Sequence, residues 1–300
     1  MEFYSNGKLF ILGEYYVLEG AKVFALPTKF GQYLNVFPIN TPVVSWKSYD
    51  ADGSVWYNDE MTIKDILSNN QSGDDKVRNT LIAILHQATL MNPLILQKGG
   101  FVVETKLTFP RNWGLGTSST LINNIAQWFQ VDAFQLLEKS FGGSGFDIAC
   151  AQNNTPVTYQ KQDGKPVVEQ VIFNPPFTDA VYFVYLNQKR DSKEAIANFR
   201  KKQHKLSDEV QEVSAMTDAL LQITDLDTFI AFFKRYEKNL SALLETPTIQ
   251  EQLFADFNGV VKSLGGWGGD FVMAVSPENP VAYFKNKGFD VVVPYSEMIL

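Results

Sequence analysis

The residues with the clearest chemical potential are three glycine clusters, each running into polar or acidic side chains. Gly114-Leu115-Gly116-Thr117-Ser118-Ser119 lies between a β-rich run at 101–107 and a helix-like stretch at 118–129. Strand, glycine-rich loop and helix N-terminus together form an anion site. Glycines let the backbone approach a ligand, the free N–H groups of the first turn point at it, and the helix dipole favours negative charge. A second cluster, Gly142-Gly143-Ser144-Gly145, leads into Phe146-Asp147-Ile148-Ala149, where DIACAQ reads as a helix with Asp147 near its start. Taken alone, Asp147 fits a helix cap, the commoner use of an aspartate after glycines. The third cluster is GGWGGD at 265–270, ahead of an apolar run at 271–275. Each is weak by itself. Gly114–Ser119 lacks the last glycine of G-x-G-x-x-G, and the chain holds no G-x-x-x-x-G-K-[ST].

The elements that must position these loops are legible from their patterning. Residues 8–18 hold two apolar runs split by Gly13-Glu14, which reads as two short strands or one bent strand. Residues 23–37 repeat that pattern. At 43–57, alternating segments flank Asp52-Gly53, a hairpin signature. Val77, Leu81, Ile84, Leu85 and Ala88 recur at helical spacing over 74–91. Further on, 180–186, 271–275 and 289–293 read as strands and 192–245 as largely helical. The texture changes near Pro175-Pro176, so two domains are expected, 1–175 and 176–300.

In combination and in this order, the clusters resemble the motifs of the GHMP kinases, the family of galactokinase, homoserine kinase, mevalonate kinase and phosphomevalonate kinase. The stretch from Gly7-Lys8 through Gly13-Glu14-Tyr15-Tyr16-Val17 is similar to the opening G-K-x-x-L-x-G-E-x-x-V of that family. Pro110–Ser119 is similar to its P-x-G-x-G-L-G-S-S-A phosphate loop, Ser144-Gly145-Phe146-Asp147 to the segment bearing its catalytic aspartate, and 265–271 to its C-terminal glycine loop. The resemblance implies an α+β fold of two halves, the N-terminal one like domain 2 of ribosomal protein S5 and the C-terminal one ferredoxin-like. It implies ATP and Mg²⁺ as cofactors. Backbone N–H groups of Gly114, Leu115, Gly116, Thr117, Ser118 and Ser119 would cradle phosphates, and the Ser118 hydroxyl would ligate Mg²⁺. Asp147 would orient or deprotonate the acceptor hydroxyl, and Lys8 would stabilise charge on the transferring group. Glu138 is the nearest candidate for an acidic metal ligand, with spacing that does not match cleanly. Lys8, Glu14, Ser144, Gly145, Gly268 and Gly269 would contact the substrate.

Within the family, Gly143-Ser144-Gly145-Phe146-Asp147-Ile148-Ala149 and Gly268-Gly269-Asp270 look closest to the phosphomevalonate kinases. Mevalonate kinase is the next reading, then homoserine or sugar kinases. A phosphorylated acceptor should meet cations, for which Lys8, Arg111, Lys189, Arg190 and Lys193 are candidates. Asn112, Trp113, Ser119-Thr120 and Trp267 depart from the family pattern, and the tryptophans stand where it has small residues. A non-catalytic ligand-binding protein of the same fold therefore stays open, as does a nicotinamide-dependent oxidoreductase built on 114–119.

Composition narrows the classes further. Of 300 residues, 45% are hydrophobic and 20% charged, with 23 Phe, 12 Tyr and 5 Trp, enough apolar side chain for one large core or two modest ones. The net charge of −7 and pI of about 5.0 give no basic field for nucleic acid. One cysteine, Cys150, excludes an internal disulfide and fits a reducing cytosol. The apolar run of the N-terminus is too short and interrupted for a signal peptide or membrane span. The expectation is a cytoplasmic monomer or homodimer that takes a small molecule, a phosphorylatable alcohol or phosphate monoester. His86 and His204 lie in helical stretches and are expected to be structural or exposed.

Overall fold

The computed structural model describes residues 1–71, 73–187, 207–265 and 269–300. It divides into two compact units. The first comprises 1–8, 30–111 and 115–153, and the second 9–29, 112–114 and 154–300. The second unit thus joins the C-terminal half of the chain to two earlier segments.

In the first unit the strand order is β4-β3-β5-β2, with β3 Val43–Tyr49, β4 Val55–Thr62, β5 Gly100–Leu107 and the C-terminal part of β2, Val23–Ile39. β3 and β4 form the expected hairpin over Asp52-Gly53. Along β3, burial alternates, so Val44, Trp46 and Ser48 face inward, as a pleated strand with one covered face requires. β5 runs parallel to β3 and antiparallel to β2. The chain reaches β5 through α1 (Ile63–Leu67) and α2 (Lys76–Met91). Such a mixed sheet is not the parallel doubly wound sheet of a dinucleotide-binding fold, and the oxidoreductase reading falls with it. α3 (Thr117–Phe129), α4 (Ala133–Ser140) and α5 (Phe146–Gln152) complete the unit. Its core joins Trp46, Leu85 and Phe101 to Ile122, Trp128 and Ile148. The apolar stripe of α3 is therefore what anchors the helix that follows the glycine loop.

In the second unit an antiparallel sheet has the order β11-β8-β10-β9, formed by β8 Val181–Tyr185, β9 Val260–Ser263, β10 Phe271–Val275 and β11 Val292–Pro294. β11 is shorter than the strand expected at 289–293. The N-terminal part of β2 pairs with β6 (Val157–Gln162), and β6 with β7 (Lys165–Gln170). The helices are α6 Ser207–Leu220, α7 Leu226–Leu244, α8 Ile249–Leu253, α9 Val281–Asn286 and α10 Tyr295–Met298. Val184, Phe254, Val261, Val272 and Phe284 form the core. β1 (Glu2–Leu12) carries the first apolar run of 8–18, but the second is a 3-10 turn, Tyr16–Glu19, not a strand. Tyr15 enters it with φ 65, which a continuing strand cannot accommodate. No helix among the described residues is long and apolar enough to cross a membrane.

Candidate active site

Lys8 lies in β1, and its backbone N–H donates to the carbonyl of Leu115 at 3.0 Å. One strand thereby fixes both a cation and the glycine loop. Its Nζ stands 3.4 Å from Asp147 Oδ1 and 5.5 Å above the Phe146 ring, with side chains 15% and 25% exposed for Lys8 and Asp147. Both remain reachable by a ligand. Asp147 is the second residue of α5, whose N-cap is Gly145, so the capping alternative does not describe it. Its carboxylate is directed at Lys8.

The loop enters α3 through Gly116, the N-cap, with φ 93 and no side-chain cap. The first-turn N–H groups of Thr117, Ser118 and Ser119 therefore have no side-chain acceptor from the cap position. A Cβ built on Gly116 would lie 3.3 Å from Lys8 Cγ and 3.9 Å from Asp147 Oδ1. A hydrogen here leaves the space between the uncapped helix end and the Lys8–Asp147 pair open. Gly116→Ala is expected to cost about 1–2 kcal/mol through its left-handed backbone and to weaken ATP binding by filling that space. Calorimetric titration beside a melting curve reads both effects. An alanine variant that binds ATP as the parent does would show that the space is not used.

Behind α3, a buried polar network sets the helix's position. Ser5 Oγ donates to Asn124 Oδ1 at 2.7 Å, and Asn123 Nδ2 donates to Ser5 Oγ at 2.8 Å. Asn124 Nδ2 donates to the Gln32 carbonyl at 2.8 Å, and Gln152 Nε2 to Asn123 Oδ1 at 3.1 Å. α3 is thus tied to β1, β2 and the last residue of α5. Thr120, one of the departures from the family pattern, donates to Gln32 Oε1 at 2.7 Å. Its hydroxyl belongs to the interior, not to the ligand face.

The remaining sequence candidates are distributed as follows. Leu115 is fully buried and Ser118 exposed. Ser144 is half-buried and Gly145 buried. Glu138 is exposed on α4. Arg111 is exposed, with its guanidinium 4.6 Å from the Trp56 ring and its N–H donating to Asp50 Oδ1 at 3.0 Å. Gly114 belongs to the second unit, where a Cβ on it would run into the Asp270 carboxylate. Gly269 is buried; Gly268, Trp267, Lys189, Arg190 and Lys193 lie outside the described residues. Trp113 packs against Phe271 and Tyr185, with centroids at 5.4 and 6.3 Å, so its ring is engaged in an aromatic cluster of the second unit. His86 Nδ1 bonds the Ile66 carbonyl at 2.9 Å, a structural contact. Burial raises the Cys150 thiol well above its ordinary range, which makes it an inert core residue.

Glu14 departs most from its expected substrate role. It is 3% exposed, and both carboxylate oxygens are taken by protein groups. Lys262 Nζ donates to Oε1, and Tyr236 Oη donates to Oε2 at 2.7 Å.

Among the described residues no cluster of three or more His, Cys, Asp or Glu could hold a metal. Ser118, exposed on the first turn of α3, is the candidate for Mg²⁺ that would arrive with a nucleotide, phosphate oxygens and water then supplying most of the ligands.

No family model and no curated protein sequence matches the chain. Solved structures do. Mevalonate kinase from Methanococcus jannaschii superposes with TM-score 0.71 at 13% identity, over 97% of this chain and 96% of that one. Streptococcus pneumoniae phosphomevalonate kinase in complex with phosphomevalonate and AMPPNP gives 0.70 at 16%, over 96% and 95%. Lactococcus lactis galactokinase complexed with galactose gives 0.67 at 14%, over 95% and 88%. The chain shares the fold of these GHMP kinases over 95–97% of its length.

Proposed function

We propose that this chain is an ATP-dependent phosphotransferase acting on a small metabolite of the mevalonate pathway, with phosphomevalonate as the favoured acceptor. The observation that carries the reading is the Lys8–Asp147 pair at 3.4 Å, beside an uncapped helix N-terminus and across a glycine that leaves the space open. Phosphoryl transfer asks for positioning and charge neutralisation more than for covalent chemistry. Thr117, Ser118 and Ser119 would donate backbone N–H groups to the nucleotide phosphates. With an alcohol acceptor, Asp147 would accept the hydroxyl proton as the acceptor oxygen bonds the γ-phosphorus and the bond from that phosphorus to the β,γ-bridging oxygen breaks. With a phosphate monoester, whose attacking oxygen is already ionised near neutral pH, Asp147 would orient the acceptor and take no proton. Lys8 would balance charge on the transferring group. Mg²⁺ held by Ser118, with Glu138 as the acidic candidate, would supply further neutralisation of the triphosphate.

The GSGFDIA stretch supports phosphomevalonate over mevalonate, and kinases of both acceptors stand among the similar folds. The Trp113 ring packs on Phe271 and Tyr185, a role for its bulk that is compatible with a catalytic reading. ATP consumption with Mg²⁺ against mevalonate, phosphomevalonate, homoserine and galactose tests the proposal. Turnover is expected, fastest on phosphomevalonate. Preference for another member would move the acceptor assignment, and absence of ATP binding would sink the kinase reading.

A further inference from the structure

The network around Glu14 lies wholly in the second unit and holds more charge than a dry interior tolerates. Lys262 of β9, Glu14 after β1, and Glu237 of α7 have side chains no more than 4% exposed, so two carboxylates face one ammonium. Lys262 Nζ also donates to the Ser263 carbonyl at 2.6 Å and stands 5.2 Å from the Tyr236 ring. Tyr236 Oη accepts from the Gly13 N–H at 3.0 Å while donating to Glu14. Both Glu14 oxygens are engaged. Glu237 is served less well. Its Oε2 accepts from the Ser263 N–H at 3.3 Å, but Oε1 is buried without a hydrogen-bond partner, 3.7 Å from Lys262 Nζ. That separation is too long for a hydrogen bond.

The groups facing Glu237 are Lys262 and the Ser263 amide from β9 and Glu14 from the segment after β1, while Tyr236, on the same helix, bonds Glu14. Tyr16 lies near Tyr236, and Glu209 and Glu212 of α6 act on Tyr16. None of these adds a second cation. An isolated buried carboxylate is far costlier than a neutral carboxyl in the same place.

We propose that Glu237 holds a proton in the folded protein at neutral pH, and that its ionisation in alkali loosens the contact joining α7, β9 and the Gly13–Glu14 segment. Burial pushes its carboxyl up to about 8, opposed by the Lys262 charge and reinforced by that of Glu14. A folded-state value raised above the ordinary 4.5 means the folded chain binds the extra proton. The associated stability is complete below about pH 4.5 and is lost as pH rises through about 8.

The test compares the full chain with Glu237→Gln by infrared titration and by melting temperature over pH 6–9. A protonated-carboxyl carbonyl band is expected in the parent at pH 7, fading through about pH 8 and missing from the variant. The parent's melting temperature should fall with pH more steeply than the variant's. Absence of the band at pH 7, its survival in Glu237→Gln, or a constant difference in melting temperature overturns the proposal. A variant unable to fold at neutral pH also overturns it, because glutamine is the closest neutral mimic of a protonated glutamate.

Discussion

Asp147→Asn is expected to lower kcat for an alcohol acceptor such as mevalonate by about 10²–10⁴-fold, the range removed with a positioned general base. At about 1.4 kcal/mol per tenfold this is roughly 3–5 kcal/mol of transition-state stabilisation. The fold should barely notice. Asparagine has the same shape, and Asp147 is 25% exposed, so its pair with Lys8 is partly screened. A first-turn carboxylate contributes only about 0.3–1 kcal/mol through the helix dipole. KM for ATP should change little, because the nucleotide contacts are proposed for the backbone N–H groups of Thr117, Ser118 and Ser119. Steady-state kinetics beside a melting curve would show the split between rate and stability. Turnover of that alcohol within about threefold of the parent would remove Asp147 as its base.

How far such a site could be read from sequence depended on how local its cause was. The glycine loop, the start of α3 and the helix bearing Asp147 follow from neighbouring residues, and all three appear where the patterning places them. The β3–β4 hairpin was legible because a turn dipeptide sits between alternating segments. The same signal, Asp163-Gly164 between β6 and β7, is masked by flanking polar residues that break the alternation. Both turn residues have positive φ, 49 and 77, as a two-residue hairpin loop of this twist needs.

What patterning cannot give is which distant side chains meet. Lys8 and Asp147 are 139 positions apart in the chain, and their pairing entered only through family resemblance. Asn123-Asn124 lies within an otherwise apolar run of α3. A buried polar pair in such a place is a signal for a network, although its partners Ser5, Gln32 and Gln152 leave no mark in spacing. Glu14 shows the limit from the other side. A motif acid was expected to face substrate, and its environment turned out to be set by Tyr236 and Lys262, both more than 200 residues away.

Lys262 is therefore the residue whose removal should damage the fold most. Lys262→Met keeps most of the apolar stem of the side chain while deleting the charge that faces Glu14 and Glu237. Breaking a buried ion pair by removing one partner costs about 3–5 kcal/mol, since the other charge stays in the interior uncompensated. That is a large part of the roughly 5–15 kcal/mol that stabilises a typical domain. The sign of the pH response separates this cause from lost packing. With the ammonium gone, the folded variant should bind more protons than its unfolded chain. Its stability should then rise as pH falls from 8 toward 5, closing part of the gap to the parent. A cavity or rotamer defect would give a gap that does not move with pH. Urea unfolding at pH 5, 6.5 and 8 distinguishes the two. A pH-independent deficit, or one below about 1 kcal/mol, would mean that Lys262 does not neutralise Glu14 in the folded protein.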